Sequence, residues 1–249
     1  MKIYRKILKS KKENRKIFSV LIDPDKQSEQ SLINSINHAN KAKADLILIG
    51  GSLLKKDCLD QSISIIKKNS KIPLLLFPGN TMQLSNQADG ILLLSLISGR
   101  NPEMLIGNHV VSAPFLKKST LEIIPTGYML IESGKITSAS YMSNTVPIPN
   151  DKNDIAVSTA TAGEMLGLKM IYMDAGSGAK TSVPNEMIQA VASSINIPLI
   201  IGGGIKTEKE IKEKFEAGAD IIVVGNALEE NPTFVYSISK NIKLNAKKL

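Results

Sequence analysis

Eight short apolar runs, rich in isoleucine, leucine and valine, recur along the 249 residues and alternate with stretches whose hydrophobic residues repeat at helical spacing. That alternation is the signature of βα units wound around a parallel sheet. The runs predict strands over Phe18–Ile22, Asp45–Ile49, Pro73–Phe77, Gly90–Ser95, Ile123–Glu132, Met170–Asp174, Pro198–Ile201 and Asp220–Val224. Helices are expected over Glu29–Lys43, Asp57–Asn69, Asn101–Lys117, Asp154–Leu168, Pro184–Ser194 and Thr207–Ala217, with a closing helix from Asn231. Thr207 and Glu210 have the spacing of a capping box. The expected fold is α/β, a modified (β/α)8 TIM barrel forming one domain over residues 1–249. Two connections break the pattern. The third and fourth strands are joined by a short polar link from Gly79 to Asp89, so the helix there is expected to be shortened or replaced by a loop. After the fifth strand, Ser133–Asn153 is too long for a turn and reads as a mobile lid or an ordered excursion over the barrel mouth.

Two of the runs end in glycine: Ile200-Ile201-Gly202-Gly203-Gly204-Ile205, and Ile221-Ile222-Val223-Val224-Gly225-Asn226-Ala227. Glycine at a strand end lets bare backbone N–H groups approach an anion, and these two stand where the last two strands of a barrel end. A third such loop, Ala175-Gly176-Ser177-Gly178-Ala179, follows the sixth strand and adds a hydroxyl donor from Ser177. Tyr172 and Asp174 precede it and would hold the hydroxyls of a polyol attached to that phosphate. Three glycine loops on consecutive strand ends argue for a phosphorylated small molecule over ligand-free turns.

In a barrel of this kind reacting groups come from the C-terminal ends of strands. The first strand ends in Asp23-Pro24-Asp25, the second in Gly50-Gly51-Ser52, the third in Pro78-Gly79-Asn80 and the fifth in Glu132. Asp23 and Ser52 on adjacent strands offer one carboxylate and one hydroxyl. That is an incomplete oxygen cage of the kind that holds Mg2+ when water and phosphate oxygens complete it. Asp-Pro-Asp is also a common turn former, so Asp23 reads equally as a cap. Arg100, in Ser98-Gly99-Arg100-Asn101, would either grip a diphosphate or lie on a surface loop. His38 and His109 fall inside predicted helices rather than at strand ends, and Cys58 reads as a passive small residue.

Composition bounds the rest. A 43% hydrophobic content suffices for one sizeable core, and a lone cysteine excludes an internal disulfide. No long apolar run marks secretion or membrane spanning, so a soluble, cytoplasmic protein is expected. The net charge of +8 comes from lysines spread over helix faces and both ends (Lys9, Lys11, Lys12; Lys240, Lys243, Lys247, Lys248), with 4% aromatic residues and no tryptophan to stack on bases. Nucleic acid is therefore not expected as a partner, and transient contact of a basic surface with anionic membrane is.

The set Asp23-Pro24-Asp25, Gly50-Gly51-Ser52, Pro78-Gly79-Asn80, Pro125-Thr126-Gly127-Tyr128, Tyr172 to Ala179, Gly202-Gly203-Gly204-Ile205 and Gly225-Asn226-Ala227 resembles the geranylgeranylglyceryl phosphate synthase family, which includes the PcrB proteins. The resemblance runs in order over nearly the whole chain. It implies a Mg2+-dependent prenyltransferase that joins sn-glycerol 1-phosphate to an allylic prenyl diphosphate. By that likeness Asp23 and Ser52 contact the metal. Tyr172, Met173, Asp174, Ala175, Gly176, Ser177, Gly178, Gly203, Gly204, Gly225 and Asn226 hold glycerol phosphate, and the prenyl tail lies in a groove along the barrel. The segment Leu96–Pro102 looks like the archaeal-type and Bacteroidetes-like branch, which implies a geranylgeranyl donor; the likeness also implies a homo-oligomer, a dimer or a hexamer. One departure stands out: the family commonly has glutamate where this chain has Asp174, which reaches one methylene less.

The chemistry suits these residues. An allylic C–O bond ionises readily once cations neutralise the leaving diphosphate, so stabilisation and positioning matter more than a strong nucleophile. The glycerol hydroxyl attacks while Asp174 or Glu132 takes its proton, with Tyr172 beside them. A phosphosugar isomerase or lyase would share the cradle but need an opposed acid and base pair. A non-catalytic phosphometabolite-binding protein would keep the glycines without needing Asp23 or Ser52.

Overall fold

The computed structural model describes residues 2–225, so Asn226 and the helix expected from Asn231 lie outside the described residues. Eight parallel strands close into a barrel in sequence order: β1 (Ile17–Ile22), β2 (Leu46–Ile49), β3 (Leu74–Leu76), β4 (Gly90–Leu96), β5 (Glu122–Leu130), β6 (Met170–Asp174), β7 (Leu199–Gly202) and β8 (Ile221–Val224). β8 returns to pair with β1, from Ile17↔Ile221 to Val20↔Val224. Each strand alternates. One set of side chains, among them Leu48, Leu75, Leu92, Ile124, Tyr172, Ile200 and Val223, fills the bore. The other set, with Ile47, Leu74, Ile91, Met173, Ile201 and Ile222, meets the surrounding helices. The strands therefore read as continuous apolar runs because both faces are covered. Each fully buried leucine or isoleucine contributes about 1.5–3 kcal/mol relative to an exposed one.

The outer layer is α2 (Glu29–Lys41), α3 (Leu59–Asn69), α4 (Asn108–Lys118), α6 (Asn153–Met165), α7 (Asn185–Ala192) and α8 (Glu208–Glu216), the last started by a capping box of Thr207 and Glu210. α4 is entered through a π turn, Glu103–Gly107, in the stretch expected to be regular helix from Asn101. Residues 77–89, between β3 and β4, form turns and bends with no helix. The fifth strand stops at Leu130 rather than Glu132, and Ile131 bridges to Ile148 instead. The excursion between them is ordered around α5 (Ser138–Ser143), whose Thr137 cap exchanges hydrogen bonds with Ser140.

The N-terminal helix α1 (Lys2–Lys12) has no counterpart among the expected elements. Its lysines read as part of a diffuse basic surface, yet Ile3, Tyr4 and Ile7 lie on one face and close the bottom of the bore. Glu122, the first residue of β5, accepts the N–H groups of Lys2, Ile3 and Tyr4 at 2.6, 2.8 and 2.8 Å, satisfying donors that a helix start leaves unpaired. Acidic residues repeat this device around the bottom rim. Asp45, Asp89 and Asp220 stand just before β2, β4 and β8, and each accepts an N–H of the preceding strand, from Phe18, Leu74 and Leu199. Lysine and arginine neutralise them: Lys11 meets Asp220 at 2.7 Å, Arg15 meets Asp45 at 2.7 Å, and Lys67 pairs with Asp89. These carboxylates serve the fold, because they lie at the end of the barrel opposite the site.

Replacing Glu122 with Ala uncaps α1 and unplugs the bore. Urea denaturation is expected to show a loss of about 1–2 kcal/mol, typical of a lost cap.

Candidate active site

The C-terminal rim carries two polar clusters, one from β1 and β2 and the other from β6 and β7. Register brings Ile22 opposite Ile49, so Asp23 and the Gly50-Gly51-Ser52 turn emerge side by side. Asp23 is indeed a cap: its Oδ1 accepts the Asp25 N–H at 3.2 Å and starts the 3-10 turn Pro24–Lys26. Its Oδ2 lies 3.2 Å from the Lys26 ammonium. A Cβ added at Gly51 would sit 3.3 Å from this carboxylate, a tight contact, and one added at Gly50 would come within 2.1 Å of the Phe77 carbonyl, so glycine is required there. The turn is clamped from two sides. Buried Gln83 donates to the Gly51 carbonyl at 2.7 Å and accepts its N–H at 3.2 Å. Asp25 accepts the Lys55 and Lys56 N–H groups, which hold its carboxyl below the ordinary range, and faces the Cys58 Sγ at 3.7 Å. Cys58 is thus a partner of Asp25 rather than only a filler.

One carboxylate and one hydroxyl are hard oxygen donors, and among the described residues no group of three or more His, Cys, Asp and Glu could hold a metal. This donor set suits Mg2+, which keeps most of its water and takes phosphate oxygens, and does not suit a metal caged by protein.

At the second cluster Asp174 is the last residue of β6, buried, with both oxygens held. Oδ2 accepts the Tyr128 hydroxyl at 2.6 Å and Oδ1 accepts the Gly176 N–H at 2.8 Å. Burial pushes its carboxyl above the ordinary range, and the bonds from Tyr128 and Gly176 only partly oppose this. Burial and the neighbouring Asp174 charge push the hydroxyls of Tyr128 and Tyr172 well above the ordinary tyrosine value. Gly176, Gly178, Gly203 and Gly204 all have φ between +69° and +88°. At Gly203 a Cβ would come within 2.5 Å of both Asp174 Oδ1 and the Gly176 N–H, so β7 can close on the loop after β6 only with glycine there. At Gly204 a Cβ would meet the Thr181 carbonyl at 2.9 Å, and at Gly225 it would have ordinary contact with Leu21. The strand-end loops after β6 and β7 therefore bring backbone close together at these glycines. At Gly176 the Cβ would meet Thr137, the cap of α5, so the excursion abuts this loop.

Several expected contacts are relocated. Met173 and Ala175 point outward into the helix-covered layer, because they occupy the alternate face from Tyr172 and Asp174; only their backbone faces the rim. Tyr172 is 1% exposed, stacked on Phe77 at 5.2 Å and edge-on to Tyr128 at 5.5 Å, so it floors the site from within the bore. Glu132 is exposed, two residues past β5, and only its N–H is engaged, by the Ile148 carbonyl at 2.8 Å. Arg100 bonds its neighbour Gly99's carbonyl on an exposed loop and lines pockets away from Ser52. Tyr128 and Lys26 carry site contacts that no sequence motif singled out for a role. For Tyr128 the available signal was its register against Tyr172, which requires strand pairing.

From Gly51 and Ser52 an apolar groove runs outward beneath the helix-free 77–89 link. Phe77, Leu84, Ile91 and Leu93 line it on the strand side, and Met104, His109 and Met142 on the side of α4 and α5. His109 thus faces the groove, with its Nδ1 buried and without a hydrogen-bond partner.

The buried Asp174 makes stability pH-dependent. A folded pKa above the unfolded one adds stability that is full at acid pH and is lost as pH rises through the folded value. Asp174→Asn removes the charge; its amide oxygen can still accept the Gly176 N–H, and its NH2 group can donate to the Tyr128 hydroxyl, which then accepts. The variant is expected to be more stable than the parent chain at neutral pH, with the gain shrinking as pH falls through the raised folded value and levelling off below about 4, the ordinary unfolded value; denaturation midpoints across pH check this.

Relatives align over almost all of this architecture. The profile of the PcrB family matches residues 8–243. A geranylgeranylglyceryl phosphate synthase from Chitinophaga pinensis is 50% identical over 94% of this chain and 93% of its own length. One from Methanosphaera stadtmanae is 41% identical over 88% of this chain and 89% of its own. The crystal structure of (S)-3-O-geranylgeranylglyceryl phosphate synthase from Thermoplasma acidophilum in complex with sn-glycerol-1-phosphate superposes with a TM-score of 0.92 at 30% identity, covering 98% of this chain and 99% of that one. The glycine loops, the paired Asp23 and Ser52 and the flanking apolar groove thus occur in a chain that belongs to the PcrB family.

Proposed function

We propose that the protein transfers a prenyl group from an allylic prenyl diphosphate to a hydroxyl of sn-glycerol 1-phosphate. The observation that carries this reading is the apolar groove opening at Ser52, across the rim from the glycine loops after β6 and β7. A site for two small phosphorylated metabolites has no need of such a groove. A long apolar tail attached to a diphosphate does, and burying each methylene of that tail contributes about 0.8 kcal/mol. The relatives named above support the acceptor and the geranylgeranyl donor.

In this reading the diphosphate lies by Asp23 and Ser52, and Mg2+ held there would neutralise the leaving group as its charge develops. The glycine loops orient glycerol phosphate through backbone N–H groups, with Ser177 as a hydroxyl donor. The allylic C–O bond breaks with its electron pair leaving on pyrophosphate, the glycerol oxygen bonds to the allylic carbon, and its proton passes to Asp174. Asp174 is favoured over Glu132 as the base because burial raises its proton affinity and Tyr128 and Gly176 fix its orientation, while Glu132 is exposed. Each Asp174 oxygen keeps a lone pair for the glycerol hydroxyl. Tyr172 would support the acceptor from below.

Ile106, Val110, Val111 and Phe115 give α4 and the turn before it an exposed apolar face, which supports the expected homo-oligomer. No helix among the described residues is long and apolar enough to cross a membrane, and transient surface contact during delivery of a lipid product is part of the proposal.

Incubation with labelled sn-glycerol 1-phosphate, Mg2+ and a ladder of prenyl diphosphates should give a lipid-soluble phosphate, most rapidly with the geranylgeranyl donor. No product with any donor would remove the proposal. Asp23→Asn should abolish Mg2+-dependent turnover while glycerol phosphate binding, followed by calorimetry, stays nearly intact.

A further inference from the structure

The glycine loops supply dipoles but no full positive charge, although a phosphate monoester carries close to two negative charges at neutral pH. Among the described residues, Lys26 is a side-chain cation whose ammonium reaches both clusters. It ends the 3-10 turn that Asp23 caps, and its ammonium lies 3.2 Å from Asp23 Oδ2 and 3.5 Å from the Ser177 hydroxyl. Ser177 belongs to the loop after β6, whereas Lys26 follows β1. In the closed barrel the ends of β7 and β8 stand between those strands. The side chain therefore crosses the sector that holds Gly203, Gly204 and Gly225, linking the carboxylate cluster to the phosphate loops.

We infer that Lys26 is a binding residue for the acceptor's phosphate, held on Asp23 until the site fills. The inference rests on the acceptor site given under Proposed function. Its physical basis is a competition. Asp23 is one carboxylate with two claimants, the Lys26 ammonium and a divalent cation, and a cation bound to Asp23 repels the ammonium at a few ångströms. The partner left for the ammonium is on the Ser177 side, where the phosphate would lie. Two anionic substrates must also meet within one rim, and a cation between them offsets their repulsion. Lys26 thereby couples the two half-sites: filling the metal end releases the group that the phosphate end needs. A lysine suits this role because its ammonium is a compact charge on a flexible four-carbon stem, able to exchange partners without moving the backbone.

The test is calorimetric, with the full chain and with Lys26→Met and Lys26→Arg. The probes are sn-glycerol 1-phosphate and inorganic phosphate, each at low and high salt with Mg2+ present. Lys26 is exposed, so both variants should fold, and far-UV circular dichroism checks this. Lys26→Met is expected to weaken both probes by roughly 10- to 100-fold, the worth of a hydrogen bond to a charged group. It should also flatten their salt dependence, while Lys26→Arg keeps most of the affinity. Phosphate affinity in Lys26→Met within about twofold of the parent chain overturns the inference, since a charged contact is worth more than that. So does an equal loss in Met and Arg variants with an unchanged salt slope, which marks a structural role. If the parent chain binds inorganic phosphate but not glycerol phosphate, the acceptor assignment fails by itself, and the inorganic phosphate arm still decides whether Lys26 is the phosphate's cation.

Discussion

Closure of the sheet is the constraint from which the other features follow. Because β8 pairs back onto β1, no strand edge is left open, and the bore must be filled by the chain's own side chains. At the bottom α1 supplies the filling, and acidic residues at the strand starts satisfy the backbone there. At the top the filling is aromatic: Phe77, Tyr128 and Tyr172 pack together just below the rim. Polar chemistry is thereby confined to the last residue of each strand and the loop beyond it.

Asp174 stands at that boundary and shows how the site depends on closure. Its carboxylate joins β5 through Tyr128 and the loop after β6 through Gly176, and β7 fits against it only because Gly203 has no side chain. Burying an ionisable group with raised proton affinity costs stability at neutral pH, and such a cost concentrated at a strand end is characteristic of functional sites.

The irregular connections matter as much as the regular ones. Without a helix between β3 and β4, the outer face of the sheet lacks cover along residues 77–89, and the space becomes a groove instead of core. The ordered excursion after β5 adds Ala139, Met142 and Ser143 to its wall and sets Thr137 against Gly176. One gap and one insertion thus give a symmetric barrel two unlike halves, an apolar slot beside β2 to β4 and a backbone-lined cradle over β6 and β7.

By itself the sequence determined the eight strands, their order and the glycine loops, because these depend on local pattern: apolar runs of strand length, and glycines where φ must be positive. It also indicated the shortened link and Asp23, Ser52 and Asp174 as rim residues, since position after a strand is a local property. Only the tertiary structure decided which of these groups meet. Strand alternation turned Met173 outward and Tyr172 into the bore, closure brought Tyr128 to Asp174, and the span from β1 to β6 set Lys26 between Asp23 and Ser177. The helix α1 was hidden for the same reason, since its three apolar residues acquire meaning only once there is an open bore to plug. Contacts between residues tens to hundreds of positions apart depend on register and barrel closure, which no local pattern encodes.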